Sequence, residues 1–484
     1  MKKTLLLFLL TVSLYGQTQF QLFLNRVNSI SNSAQKTAIV DSFLTYARPL
    51  GIPFIENGTA TFLYRGTATN VYISGDMNSW SATALKLVLI SGTNLFYKTQ
   101  NYPSNARLDY KIILNGSTYI LDPENPHTCL GGYGPNSELA MPGYIQPWEI
   151  MSNTTIPQFS TQQKTVHSTI LNKNYSITIL LPPNYNTSSV SYPTVYFQDG
   201  SDYLNYAYTK NTLQNILDSN KIAPIIAVFV TPTNRNDEYA GANRFKYSEF
   251  FVTELVPFIE TNYRAIQDKN SRLVIGDSFG GNISALISYT YPDIFANCGL
   301  HSPAFWPINY EVYNMIAGGI KKDIKFYSVW GSYESLNSNV NMFIDSLNSK
   351  GYSNGYAVYP EGHSWGLWRA TTDQILQYFF PAGPVSVQNS DDIVLSDYKL
   401  YQNYPNPFNP ATTISFILAE QSDIELFITN VVGQKTAVLI EGNLTSGVHQ
   451  YTFNAQNLSS GVYFYTLQIK SKNLVLTNKM IVLK

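Results

Sequence analysis

One ten-residue stretch, Arg272-Leu-Val-Ile-Gly-Asp-Ser-Phe-Gly-Gly281, constrains the fold of this chain more than any other. An apolar, β-branched run enters a Gly-x-Ser-x-Gly turn, and Asn-Ile-Ser-Ala-Leu-Ile-Ser-Tyr leaves it with helical character. A strand that passes into a helix through so tight a turn holds Ser278 in a strained backbone conformation. Neighbouring side chains would collide there, hence the glycines. The turn lifts the serine oxygen above a sheet, at the N-terminal end of the following helix. Such a turn belongs where strands and helices alternate, and the chain alternates from His167 to about Phe380. Strands are expected at residues 176–181, 194–197, 225–230, 272–275, 324–329 and 356–359, with helices such as 249–263 and 339–349 between them. This predicts an α/β domain on a mainly parallel sheet with helices on both faces.

An exposed serine at such a turn is a candidate nucleophile, and its alkoxide needs a base. The chain has five histidines. His127 and His449 fall in other regions, and His167 precedes the first strand of the alternating region. His363, in Pro360-Glu-Gly-His-Ser-Trp365, follows the last predicted strand and precedes a helix. The chain order serine, acid, histidine puts the general base there. His301 follows an earlier strand and is read as a pocket-wall or buried imidazole. The orienting acid should follow the strand before the histidine's own. That strand ends in Val329-Trp-Gly-Ser-Tyr-Glu334, so Glu334 is the first choice. Asp345 lies in the next helix, Glu361 is too near His363 to reach round its ring, and Asp323 sits at the wrong end of the strand. Oxyanion donors are expected from the backbone N–H of Phe279 and from Gly200 or Ser201 in Gln198-Asp-Gly-Ser-Asp-Tyr203.

Residues from about 165 to 382 resemble the esterase family of α/β-hydrolases that includes enterochelin, feruloyl and acetylxylan esterases. The resemblance is carried by Gln198-Asp-Gly-Ser-Asp202, Pro232-Thr-Asn-Arg-Asn-Asp-Glu-Tyr239 and Glu254-Leu-Val-Pro-Phe-Ile-Glu-Thr-Asn-Tyr-Arg264. It continues through Gly276–Gly281, His301 before Ser302-Pro303, and Glu361-Gly-His-Ser-Trp365. Two positions depart from the family pattern: Glu334 stands where relatives often carry Asp, and His301 where many carry Gln. The resemblance implies a serine ester hydrolase. With the aromatic setting around it, it places Asp199, Arg235, His301, Trp306 and Trp365 in the substrate pocket, with Trp368 nearby. Acyl groups of plant polysaccharides, feruloyl or acetyl xylan, are the first expected substrate. The run Asn234-Arg235 and Glu238-Tyr239 leans towards the alternative, a catecholate siderophore trilactone. A non-catalytic surface protein on the same scaffold is a further alternative, and the intact set Ser278, Glu334 and His363 argues against it.

At 484 residues the chain is long enough for about three domains, and its two ends carry signals of their own. Lys2 and Lys3 precede an apolar run from Leu5 to Leu14, the pattern of a secretory signal peptide over residues 1–16. That run is too short to span a bilayer, and no later stretch reaches about 18 apolar residues, so no transmembrane segment is expected in the mature chain. Residues 17–50 read as two short amphipathic helices. Residues 51–148 are β-rich, with a hairpin turning at Asn115-Gly116. Val71-Tyr-Ile-Ser-Gly-Asp-Met-Asn-Ser-Trp80, Tyr110-Lys111 and Asp122-Pro-Glu-Asn-Pro126 resemble the immunoglobulin-like module of glycogen-branching enzymes. By that resemblance Trp80 is expected in the sandwich core rather than as a sugar platform.

The α/β region covers 149–382, a polar linker 383–398, and short strands fill 399–484 as a small β-sandwich. Tyr401-Gln-Asn-Tyr-Pro-Asn-Pro-Phe-Asn-Pro-Ala-Thr-Thr-Ile414 closely resembles the C-terminal sorting domain of the type IX secretion system. That resemblance makes the secretion machinery a partner and addresses the chain across an outer membrane. A net charge of −1 gives no reason to expect nucleic acid as a partner. The 36 tyrosines against 13% charged residues suit β-rich secreted structure. Cys129 and Cys298 fall in different regions and make no disulfide framework. The sequence has no metal-ligand cluster, Walker loop or dinucleotide fingerprint, so neither metal nor cofactor is expected.

Overall fold

The computed structural model describes residues 17–132, 134–382, 398–400, 403, 406–445, 447–472 and 474–483. The expected signal peptide, nearly all of the linker and part of the Tyr401–Ile414 motif lie outside the described residues. The chain divides into two compact units, one through Val385 and one from Ser386.

The first unit opens with the helices Gln19–Asn28 and Ser33–Ala47. Thr18 and Asn32 cap them by accepting the N–H groups of Gln21 and Gln35, contacts that stabilise a helix start by about 1 kcal/mol. Phe20, Phe23, Val27, Ile39, Val40, Phe43 and Leu44 turn inward and pack on Leu63 and Leu95 of the β-region that follows. That region is two antiparallel sheets. One runs in the order Phe54–Glu56, Thr59–Arg65, Leu95–Asn101, Val88–Leu89. The other runs Leu85–Lys86, Val71–Gly75, Arg107–Leu114, Asn136–Ala140, Thr128–Cys129, with Thr118–Ile120 also paired to Arg107–Leu114. The hairpin turns where expected, with Asn115 and Gly116 both at positive φ, the backbone that a two-residue turn between twisted strands requires.

Trp80 is not a core residue. It stands 38% exposed, and its indole Nε1 donates to the buried Asp76 carboxylate at 3.0 Å. Ser79 and Trp80 both adopt left-handed backbone, which swings the ring out over Asp76, while Met77 packs on the core. Cys129 and Cys298 are both buried and free.

The α/β region is one eight-stranded sheet. Its strands in chain order are β1 (Ser160–Ser168), β2 (Lys173–Leu181), β3 (Thr194–Phe197) and β4 (Ile226–Thr231), then β5 (Arg272–Asp277), β6 (Asn297–His301), β7 (Lys325–Gly331) and β8 (Ser353–Tyr359). They lie in the order β1-β2-β4-β3-β5-β6-β7-β8, antiparallel over the first three and parallel thereafter. The central strands β3 and β5 are buried at every residue, as strands covered on both faces must be. Side chains alternate between the faces: Tyr196 joins the core on one side, and Val195 and Phe197 join the core on the other. The first core is closed by residues of the helices Arg244–Phe250, Phe279–Thr290, Pro307–Gly318 and Asn337–Ser349. The second is closed by Thr209–Asp218 and Trp365–Phe379.

The second unit pairs a three-stranded sheet (Lys399–Leu400, Ala411–Leu418, Gly447–Asn454) with a four-stranded one (Lys435–Leu444, Ser422–Asn430, Gly461–Ile469, Leu474–Val482). Ile414, Phe416 and Leu418 of the first share a core with Ile424, Leu426, Ile428, Leu467 and Ile469 of the second.

Candidate active site

Parallel strands end together, so residues just past β5, β6, β7 and β8 meet at one edge of the sheet. The register pairs Asp277 with His301, His301 with Val329, and Gly331 with Tyr359. Ser278, Ser302, Glu334 and His363 all lie on loops leaving that edge.

Ser278 has φ 52° and ψ −116°, a strained conformation of the kind that costs about 1–3 kcal/mol. Three hydrogen bonds hold it there. Its N–H donates to the His301 carbonyl at 2.9 Å, and its own carbonyl accepts from Ala304 and Asn282. The strand and helix on either side approach so closely that a Cβ on Gly276 would fall 2.3 Å from the Gly280 carbonyl. Phe279 begins the helix Phe279–Thr290, so its N–H is one of the first-turn donors left without an intrahelical partner.

Glu334 is buried, and both its oxygens are engaged. Oε2 lies 2.9 Å from His363 Nδ1, and Oε1 accepts from the Gly331 N–H at 2.8 Å and from the Ser302 hydroxyl at 2.5 Å. The Trp368 indole donates in turn to Ser302 Oγ at 2.9 Å, and its ring meets the His363 ring edge-on at 5.0 Å. A carboxylate facing Nδ1 fixes the proton on that nitrogen and leaves the Nε2 lone pair free. The His363 side chain is about a third exposed, at 34%. Ser302 joins the site beyond the residues that the sequence pattern points to. The signal for it was its place one residue past β6, in the Ser302-Pro303 pair next to His301.

Three charged groups sit beneath the elbow. Arg235 donates to both oxygens of the buried Asp199, at 2.9 and 2.7 Å, and reaches the Asp277 carboxylate at 3.5 Å. Burial raises Asp199 and raises Asp277 strongly; Asp199 raises Asp277 further, Asp202 raises Asp199, and Arg235 opposes both shifts. Two buried carboxyls that face one guanidinium make ionisation of both costly, and Arg235 offsets part of that cost. Asp199 therefore faces Arg235 rather than open space. The guanidinium also lies over the Phe279 ring, 5.6 Å from its centroid, and the half-exposed Trp306 is 5.1 Å from the same ring.

Two residues expected in the pocket are enclosed instead. His301 has no exposed surface, because Tyr203 and Thr371 close over its two ring nitrogens at 2.8 and 3.1 Å. The Thr371 hydroxyl donates to the Leu367 carbonyl, so it accepts from His301 Nε2, and the Tyr203 hydroxyl donates to Nδ1. Burial pushes the imidazole down to about 3, which keeps it neutral. Trp365 is likewise buried, edge-on against both Tyr203 and Trp368. Gly200 is buried and Ser201 partly so, at the start of the short helix Gly200–Asn205, where the first N–H groups have no intrahelical partner.

This strand order, with a serine elbow past β5 and an acid–histidine pair past β7 and β8, defines an α/β-hydrolase. Residues 168–379 match the model of the esterase family described as "Putative esterase", and residues 402–483 match that of the secretion system C-terminal sorting domain. The chain thus carries an α/β-hydrolase esterase domain and a type IX secretion sorting domain, which marks it as exported across an outer membrane to the cell surface or beyond. Among the described residues no helix is long and apolar enough to cross a membrane.

The uncharacterized protein YbbA of Bacillus subtilis is 29% identical over 147 residues, 28% of this chain and 58% of that protein. The chain spans about three fifths of the length of the first curated relatives it matches. An endo-1,4-beta-xylanase/feruloyl esterase of Xylanibacter ruminicola is 23% identical over 232 residues, 45% of this chain and 31% of that protein. The ferric enterobactin esterase of Salmonella typhimurium has a similar fold, with a TM-score of 0.58 at 18% identity over 67% of this chain and 94% of that one.

Proposed function

We propose that the protein is a secreted serine carboxylic ester hydrolase with Ser278 as nucleophile, His363 as general base and Glu334 as its orienting acid. The observation that carries this reading is the Glu334 Oε2–His363 Nδ1 contact beside a strained serine elbow on the same sheet edge. Ser278 Oγ attacks the ester carbonyl while His363 Nε2 takes its proton. The N–H of Phe279, with that of Gly200 or Ser201, receives the charge that develops on the carbonyl oxygen. The imidazolium then protonates the departing alcohol, and water repeats the sequence on the acyl-serine. Residues 149–382 carry this chemistry, and 399–484 serve export.

For the substrate, the cyclic ester of a catecholate siderophore is the reading we favour. The likeness to the enterobactin esterase extends over 67% of this chain, more than the esterase match at 168–379 occupies. Phe279, Trp306 and the partly exposed Arg235 offer aromatic faces and a cation beside the nucleophile, a setting for an aromatic acyl group bearing phenolic oxygens. A feruloyl group esterified to polysaccharide is the second reading, favoured by the match to the xylanase/feruloyl esterase and by the export signal.

Enterobactin, methyl ferulate and acetylated xylan, offered to purified enzyme with Ser278→Ala as control, separate the two. The first reading expects enterobactin to be cleaved with a kcat/KM at least tenfold above the others. A preference for methyl ferulate establishes the second instead, and activity that survives Ser278→Ala would remove the serine mechanism. Export has its own check. Deleting residues 399–484 should leave esterase activity in the cell fraction of the native host and remove it from the surface and medium. Secretion of the truncated chain at the full-length level would count against the tail as the address.

A further inference from the structure

The loop that carries His363 rests on the N-terminal β-region, not on the esterase domain alone. Arg107, at the start of the strand Arg107–Leu114, donates its backbone N–H to the Pro360 carbonyl at 3.2 Å. Its side chain has no exposed surface. The guanidinium donates to Ser364 Oγ at 3.2 Å, one residue past His363, and Glu361 Oε2 lies 3.5 Å away without a hydrogen bond, so the backbone contact at Pro360 and the Ser364 contact bracket Gly362-His363. Its other nitrogens are fixed from behind by Asp109 at 2.7 Å and Glu138 at 2.9 Å, and Arg369 reaches the same Glu138 oxygen at 3.1 Å.

Steric contact adds to these bonds. A Cβ on Gly366 would fall 1.9 Å from Arg107 Nη1, and one on Gly362 would fall 1.9 Å from Asp76 Cγ. The backbone before and after His363 is therefore moulded on two side chains of the N-terminal sheet. The neighbouring loop is tied in as well: Tyr333, next to Glu334, donates its N–H to the Glu361 carbonyl and packs on the N-terminal core.

We propose that Arg107 is a positioning residue for catalysis, fixing residues 360–366 so that the His363 imidazole meets Glu334 and Ser278. This rests on the assignment of those three residues made above. The N-terminal region then completes the active site by shaping it, a role that requires no sugar binding. The charges around Arg107 support this. Burial pushes Glu361 up to about 8 even beside the guanidinium, with Asp109, Glu138 and Asp76 adding to the rise. Burial and Asp109 push Asp76 up to about 7. Four carboxyl groups crowd one loop, and Arg107 is the cation among them that also grips the loop itself.

Arg107→Lys in the full-length chain keeps the charge and loses the planar fork. Stoichiometric release of p-nitrophenol from diethyl p-nitrophenyl phosphate counts reactive sites, and its rate reads the reactivity of Ser278. The proposal expects kcat per titrated site on p-nitrophenyl acetate to fall 10- to 100-fold, with KM within about threefold and the phosphorylation rate reduced in parallel. A purely structural role would lower the melting temperature and the number of titrated sites, and leave kcat per site unchanged; that result overturns the proposal. If Arg107→Lys does not fold, Ser364→Ala decides. It removes one grip only, and a kcat per site at least threefold lower supports the proposal, whereas an unchanged one refutes it. Ser278→Ala and His363→Ala run alongside. Should either stay active, the assignment of the site fails; should both be inactive while Arg107→Lys matches wild type, only the positioning role fails.

Discussion

Ser278→Ala and His363→Ala are each expected to lower kcat on p-nitrophenyl acetate by on the order of 10⁴–10⁶, and the double variant by little more. The non-additivity follows from the chemistry. A serine hydroxyl without a base is a poor nucleophile, and a base without the hydroxyl has nothing to activate, so removing either removes the unit. Circular dichroism of each variant separates this from unfolding, because Ser278 sits in a backbone held by the His301, Ala304 and Asn282 contacts, which do not use its hydroxyl. His301→Gln is the informative companion. Both nitrogens of His301 are occupied by Tyr203 and Thr371 and the ring is sealed from solvent, so this variant should lose stability and keep most of its turnover. Abolished turnover in a folded His301→Gln variant, with activity retained in His363→Ala, would exchange the roles of the two histidines.

How much of this was legible in the sequence depended on whether the local pattern and the tertiary environment agreed. β3 and β5 are apolar runs buried on both faces, so composition alone marked them within a residue or two. β1 was missed because it is an edge strand. Thr161, Gln162, Gln163, Lys164 and Thr165 face solvent in whole or part, and what holds them is backbone pairing to β2. β6 escaped a specific assignment for the opposite reason. Asn297, Gly299 and His301 are poor strand formers, yet all five of its residues are buried between β5 and β7. The same fact bears on His301. A polar residue at a strand end is compatible with a pocket wall or a buried imidazole, and the choice between them is made by Tyr203 and Thr371, which arrive from elsewhere in the chain to satisfy it.

The site divides in the same way. Ser278, Glu334 and His363 could be chosen from sequence because strand order fixes which loops share an edge. What surrounds them could not, because it comes from contacts distant in sequence. Ser302 bonds Glu334 across 32 positions, and Arg107 bonds Ser364 across 257. Trp80 shows the limit of reasoning from a motif: the resemblance placed it in the core, and two left-handed residues in its own turn place it at the surface.

Glu334→Gln is expected to cost roughly 10²–10⁴ in kcat, and the reason lies in which oxygen of the carboxylate does what. Oε1 accepts two hydrogen bonds, from the Gly331 N–H and the Ser302 hydroxyl. The Gly331 N–H can only donate, so an amide at this position must keep its oxygen there and turn its NH₂ towards His363. That group donates where the imidazole Nδ1–H used to, which favours the tautomer with the proton on Nε2. A histidine protonated on Nε2 faces the serine with a donor and cannot take its proton. Geometry is preserved while the base is lost. Ser302→Ala removes one of the two bonds to Oε1 and leaves the charge on Glu334, so it should cost about tenfold or less. Glu334→Asp keeps the charge on a shorter arm and should fall between the two. The order Ser302→Ala, Glu334→Asp, Glu334→Gln in increasing loss of kcat is the signature of an acid that works by holding one tautomer. A Glu334→Gln enzyme retaining more than a tenth of wild-type turnover would show that the orienting charge comes from elsewhere. The next candidate would be Asp345, which is exposed on the helix Asn337–Ser349 and would have to turn inward to reach the ring.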